Sequence, residues 1–409
     1  MKLLLISDFF PPFIGGAEQI TADIATELVE RGHQVAVATL WHKGLAEHEI
    51  IEGVAVHRLK GAAQRLSLLF SNPERRFHPP MLDPAITLQL RSLMAKLRPQ
   101  VVQGQSWMLM SALPLRREFG FKTIASLQDY SLICPKKTLL LYETQWCSYG
   151  ISTHCLRCAS MTYGFGKGVL TTAGLTFGQW QARHIDAFLA VSSYVADAHK
   201  PHGFPGAKPL HIIPNFLRNE VLEAPLSLPL PNLPEKYILF LGALGHHKGV
   251  HVLLEAYQRL QTSLPLVLIG AAQASTPEVL PAGVLVVKGL PHADVLRALD
   301  HCQFLVSPAV WPEPFGIVAI EGMARGKAVI ASRAGGLMDI VKDMETGLLV
   351  QPGDVADLAK ALDMLISDPA LATRMGTSGR LRCEQTYTAS VVIPRLIEVY
   401  QELWPCVVR

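Results

Sequence analysis

Ser307-Pro308-Ala309-Val310-Trp311-Pro312-Glu313-Pro314-Phe315-Gly316-Ile317-Val318-Ala319-Ile320-Glu321 is the stretch on which the fold turns. The apolar run Phe304-Leu305-Val306 before it reads as a buried strand, and three prolines then hold an irregular loop. The apolar, Gly/Ala-containing segment that follows reads as a helix. Glu313 falls in the loop and Glu321 about two turns into the helix. Carboxylates accept hydroxyl protons, and the N–H groups of Phe315, Gly316 and Ile317 at a helix start face an anion. Together they can grip a polyol phosphate. Two solvated surface acids are the alternative reading of the pair alone.

The same strand-loop-helix unit recurs on both sides. After the stretch, Ala328–Ser332 and Leu348–Val350 read as strands and Val355–Ile366 as a helix, with Asp354 its N-cap. Before it, Tyr237–Gly242, Leu266–Gly270 and Val284–Val287 read as strands, with helices over Val250–Gln261 and Ala293–Asp300. The first half repeats the arrangement, with strands at Leu3–Ser7, Gln34–Leu40, Val54–Leu59, Gln100–Gln103, Thr123–Leu127, Ala187–Val191 and Leu210–Ile213 and helical patterns such as Ala17–Arg31 and Ala85–Leu97. Continuously apolar strands alternating with helices predict parallel sheets covered on both faces. The expected fold class is therefore α/β, as two Rossmann-like doubly wound domains: residues 1–213, a proline-crowded hinge at 214–235, and residues 236–387. A final helical pattern lies within residues 388–409.

Composition narrows the function classes. A chain of 409 residues suits two domains, and 49% hydrophobic with 17% charged residues describes a packed globular protein. A net charge of +3 does not suggest a nucleic-acid partner; it fits an anionic small ligand or peripheral contact with an acidic membrane surface. No run of 18 apolar residues is present, and the short apolar start reads as a strand, not as an export signal. Seven cysteines without such a signal point to reduced thiols, so the expected location is cytoplasmic, at the inner face of the membrane if it is peripheral.

Three further places carry chemistry. Lys248, at a strand-to-helix turn, is a diphosphate partner in type and position, though a surface lysine is the plainer reading. Gly15 and Gly16 open a helix after the first strand, where backbone can approach a ligand closely and the helix terminus favours anions. Cys134, Cys147, Cys155 and Cys158 cluster within 25 residues. Four thiols can hold a structural zinc, with Cys155-x-x-Cys158 as a half-site; free thiols or a disulfide are the alternatives.

The Glu313–Glu321 stretch, Lys248-Gly249, the segments from Ala331 to Gly336 and from Gly347 to Gly353, and Gly15-Gly16 resemble the motifs of retaining GT-B glycosyltransferases. More closely, the chain resembles glycosyltransferase family 4, the group 1 glycosyltransferases. The likeness covers essentially the whole chain and is strongest from Tyr237 to Asp354. It implies the GT-B fold, with two domains facing a cleft: an acceptor-side first domain on which the last helix packs back, and a donor-binding second domain. It implies donor binding by Gly15, Gly16, Lys248, Glu313, Phe315, Gly316, Ile317 and Glu321. Glu321 meets the ribose, Glu313 the transferred sugar and Lys248 the diphosphate, and the base rests near Leu290 and Val310. Two positions depart from the pattern. Ala243 stands where an arginine is usual, with Arg325, Lys327 and Arg333 as candidate replacements. Gln128 stands where a histidine is usual; it can position the sugar but cannot titrate.

The expected function is then retaining, metal-independent transfer of a sugar from a nucleotide-diphosphate donor to a glycan, lipid-linked or small-molecule acceptor. Glu313, Gln128 and Lys248 lie at the reacting centre, and no cofactor is required for catalysis. No Asp-x-Asp metal motif occurs in the donor half. A non-catalytic nucleotide-sugar-binding subunit and an epimerase or phosphorylase on the same fold are the competing expectations. A dehydrogenase is excluded because no Gly-x-Gly-x-x-Gly follows a first strand in either half.

Overall fold

The structure is a computed structural model; it describes the chain except residues 14, 63, 65–75, 143–144, 148–149, 224–227, 274, 278 and 406–409. The chain forms two compact units, Met1–Ile213 with Ile393–Arg409, and Pro214–Val392.

The first unit contains β1 (Lys2–Ile6), β2 (Gln34–Leu40), β3 (His48–Ile51), β4 (Val54–Leu59), β5 (Val101–Gly104), β6 (Lys122–Leu127), β7 (Leu140–Leu141), β8 (Gln145–Trp146), β9 (Ala187–Ala190) and β10 (Leu210–Ile212). Its main sheet runs β10-β9-β6-β5-β1-β2-β4-β3. Every pairing is parallel except the edge strand β3, which runs antiparallel to β4. Leu3, Leu4, Leu5 and Ile6 of β1 are all buried, as expected for a central strand covered on both faces. By contrast β3 is largely exposed, so its sequence carries no continuous apolar run.

The second unit contains β11 (Ile238–Leu241), β12 (Leu266–Ile269), β13 (Val284–Val287), β14 (Phe304–Ser307), β15 (Val329–Ser332) and β16 (Gly347–Val350), in the order β13-β12-β11-β14-β15-β16. All its pairings are parallel. The order reverses direction between β11 and β14, which makes that gap the switch point of a doubly wound sheet. Asp354 caps the helix Val355–Ser367, accepting from the N–H groups of Ala356 and Asp357.

Two segments differ from the sequence reading. The stretch after β8, to which the sequence reading assigns no element, is a helical hairpin, Thr153–Tyr163 and Phe165–Ala182, broken at Gly164 (φ 85°). Within the expected hinge, Asn219–Glu223 is a short helix of the second unit, and residues 224–227 lie outside the described residues. The helix Ala389–Leu403 carries the chain back into the first unit; there Tyr400 is fully buried, and its hydroxyl donates to Gln103 Oε1 of β5 at 2.5 Å.

The first unit also buries His199. Its Nδ1 lies 2.7 Å from the Val195 carbonyl, and Nε2 is buried with no hydrogen-bond partner among the described residues. Burial pushes its pKa down to about 4. The unfolded chain has a higher imidazole pKa, about 6.5. As pH falls, the unfolded state therefore takes up the proton first, and stability present above about pH 6.5 is lost progressively toward pH 4. From pH 7 to pH 5 we expect this site to remove about 2 kcal/mol. Urea unfolding of the wild type and of His199→Gln checks this: the variant should show a shallower pH dependence, and an identical slope would rule the site out.

Candidate active site

The prolines of the loop after β14 offer no N–H, so residues 308–315 stay out of regular structure until Gly316. Gly316 (φ 113°) opens the helix Ile317–Ala324, whose first turn has no side-chain cap. Its N-terminal N–H groups are therefore the kind that face an anion. Within this loop the Glu313 carboxylate is gripped on one oxygen. Oε2 accepts from Lys248 Nζ at 2.6 Å and from Trp311 Nε1 at 2.9 Å. The Lys248 ammonium also lies 5.1 Å from the Trp311 ring centroid.

Two glycines allow this convergence. Gly249 (φ 75°) follows the short turn His246–Lys248, and a Cβ there would stand 1.8 Å from the Pro308 carbonyl oxygen. That contact draws the lysine loop against the proline loop, and the His247 carbonyl accepts from the N–H groups of both Val310 and Trp311. Gly335 (φ 62°) does the same from the loop after β15, where a Cβ would stand 2.0 Å from the Glu313 carbonyl oxygen. The Gly336 N–H donates to that oxygen at 2.7 Å. The loops following β11, β14 and β15 thus meet at Glu313, at the C-terminal ends of the strands flanking the switch point. In an open α/β sheet this is where ligands bind.

Glu321 projects from the second turn of the same helix and is buried. Its Oε1 lies 2.7 Å from Nε2 of the exposed His292, the first residue of the helix His292–His301. His292 and Trp311 are the two site residues that the sequence reading missed. Trp311 sits inside the motif and its aromatic character was the available signal. His292 has none, because its partner lies 29 residues away. Val310 and Leu290 are both half-buried.

Of the three cations expected to replace the missing arginine, Arg325 and Lys327 are held within the fold, and Arg333 is in an exposed ion pair. The Arg325 guanidinium is buried against Asp300, Nε to Oδ1 at 2.5 Å, and also donates to the Val221 carbonyl. Lys327 Nζ donates to the carbonyls of Asp300 and Cys302, and Arg333 pairs with Asp343. Lys248 is the cation that reaches the Glu313 loop.

In the first unit, Gly15 caps the helix Gly16–Glu30 in an extended conformation (φ 174°). The buried Glu18 carboxylate folds back over it; a Cβ on Gly15 would stand 2.2 Å from Oε2. The protein's own acid thus occupies the end of the helix that attracts anions. Gln128 follows β6, two strands from β1, and its Nε2 donates to Ser126 Oγ at 3.4 Å.

The zinc expectation is not met. Among the described residues, no three His, Cys, Asp or Glu side chains are placed to hold a metal, and none of Cys134, Cys147, Cys155 and Cys158 is in a disulfide. Cys155 and Cys158 stand on a helix instead of a turn, and their sulphurs donate to the carbonyls of Gly150 and Leu140. Burial raises the thiol pKa of Cys134 and Cys155.

Residues 229–382 match the family described as Glycosyl transferases group 1, and residues 14–220 match Glycosyltransferase Family 4. Glycogen synthase of Mycobacterium tuberculosis is 27% identical over 424 aligned positions, covering 98% of this chain and 94% of that protein. Sucrose-phosphate synthase from Thermosynechococcus elongatus superposes with a TM-score of 0.74 at 20% identity, over 99% of each chain. HepE of Anabaena, solved in complex with UDP, superposes at 0.72 and 17% identity, over 98% of this chain and 100% of that one. At these identities the structural likeness speaks to fold.

Proposed function

The chain belongs to glycosyltransferase family 4 and has the GT-B fold, and on that premise we propose that it transfers a sugar from a nucleotide-diphosphate donor to an acceptor hydroxyl, with retention and without a metal. The observation that carries this reading is the meeting of Lys248 and Glu313 at the switch point, beside an uncapped helix N-terminus. Lys248 and the N–H groups at that terminus supply positive potential for the leaving diphosphate. Glu313, held by Lys248 and Trp311, accepts hydroxyls of the transferred sugar. Glu321, held by His292, accepts the ribose hydroxyls. UDP binding by HepE supports a nucleotide donor.

In the proposed step the acceptor oxygen attacks the anomeric carbon on the face that the diphosphate leaves. The carbon–oxygen bond to the diphosphate breaks, a bond to the acceptor oxygen forms, and the acceptor proton passes to the departing phosphate oxygen. No side chain has to act as base in this step, so a residue such as Gln128, which does not titrate, is compatible with it. The acceptor is a glycan, a lipid-linked sugar or a small molecule. Ala243, in place of the usual arginine, favours a second reading: a subunit that binds nucleotide sugar without turnover.

Calorimetric titration with UDP, GDP and ADP and their sugar nucleotides, with hydrolysis followed in parallel, separates the two. Selective binding with slow hydrolysis supports the transferase; binding with no turnover, even with acceptors, supports the subunit. Glu321→Ala should weaken nucleotide binding about 10- to 100-fold, the range for losing a charge-assisted hydrogen bond. Unchanged affinity would remove Glu321 from the ribose.

A further inference from the structure

The helix Phe165–Ala182 of the first unit turns an apolar face outward. Leu170, Ala173, Phe177 and Trp180 repeat at intervals of three and four residues, the spacing of one helical face, and all are exposed. Trp180 is 55%, Leu170 53% and Phe177 43% exposed, and the Phe177 and Trp180 rings stack at 5.6 Å. Near the hairpin turn, Met161 and Phe165 are also exposed, at 69% and 77%. Beside this stripe the helix packs closely: a Cβ on Gly178 would stand 2.3 Å from the Pro80 carbonyl oxygen, and one on Gly174 2.8 Å from Met81 Cε. The helix is pinned by its glycines and displays its aromatic residues.

Charge says what covers this face. Residues 145–185 contain no Asp or Glu but include Arg157, Lys167 and Arg183. At about 100° per residue, Lys167 and Arg183 fall on opposite flanks of the apolar stripe. An exposed apolar face with tryptophan, in a segment that carries cations and no acids, suits an anionic lipid interface. We propose that this helix docks the protein on an anionic lipid surface. The surface belongs to the first unit alone, so it stands or falls independently of the donor site.

The test uses the full-length protein and the double variant Phe177→Ser/Trp180→Ser. Both side chains are exposed, so the variant should unfold at the wild-type temperature. Sedimentation is measured with phosphatidylcholine vesicles, with and without phosphatidylglycerol. The wild type should bind the anionic vesicles at least tenfold more tightly than the neutral ones, and the double variant should lose at least tenfold. No binding to anionic vesicles, or equal binding by the variant, overturns the proposal. So does a wild-type dimer that the double variant converts to monomer, since a second copy would then cover the face.

Discussion

Glu313→Ala is expected to lower the turnover of sugar transfer about 100-fold, near the upper end for a lost hydrogen bond to a charged group, while nucleotide affinity changes little. The asymmetry follows from the geometry. The Glu313 carboxylate holds Lys248 and the Trp311 indole, but the nucleotide is proposed to rest on Glu321, Lys248 and the helix terminus. Deleting Glu313 frees Lys248 for the diphosphate, so nucleotide binding is preserved or tightened while the sugar loses its fixed acceptor group. Initial rates at saturating sugar nucleotide, paired with titration by the nucleotide alone, separate the two effects. An active variant would remove Glu313 from the site. A parallel loss of nucleotide affinity would mean that Glu313 chiefly holds the three loops together. Glu313→Gln distinguishes charge from shape and should leave nucleotide affinity little changed while recovering turnover only in part.

Arg325→Ala should be the most damaging change to stability. Both members of the Arg325–Asp300 pair are almost fully shielded, and removing one partner strands a buried charge, at a cost of about 3–5 kcal/mol. For a unit of this size that lowers the unfolding midpoint by roughly 10 °C. Replacing both partners by apolar residues should restore most of the loss, because the pair's attraction is offset by its desolvation. Nucleotide affinity measured well below the midpoint should not change in either variant. A selective loss of affinity without loss of stability would return Arg325 to the diphosphate.

The strands that build the two sheets were legible because they are buried on both faces and so read as continuous apolar runs. β3 was not, because it forms an exposed edge. The hairpin Thr153–Tyr163 and Phe165–Ala182 escaped for a different reason. Gly166, Gly168, Gly174 and Gly178 make the second helix look like a loop by local propensity, yet Gly174 and Gly178 are what allow it to approach Met81 and Pro80. Tertiary packing overrode the local preference. At the candidate site, Glu313, Glu321 and Lys248 were readable from residue type and position. The hydrogen bonds that orient them were not, since they join residues 29 and 65 positions apart. Arg325 was misread for the same reason: its partner Asp300 lies on another element.

Tyr400 has a consequence for how the chain is made. Its ring completes the interior of the first unit against Gln103, yet it is translated only after the whole of Pro214–Val392. At ribosomal rates of about 5–20 residues per second, the earlier strands wait on the order of ten seconds or more for that side chain. The second unit is one continuous stretch of chain and can finish folding as it emerges. The unit synthesised first is therefore the last to close, and a nascent chain stalled before residue 393 would present an unfinished first unit beside a finished second one.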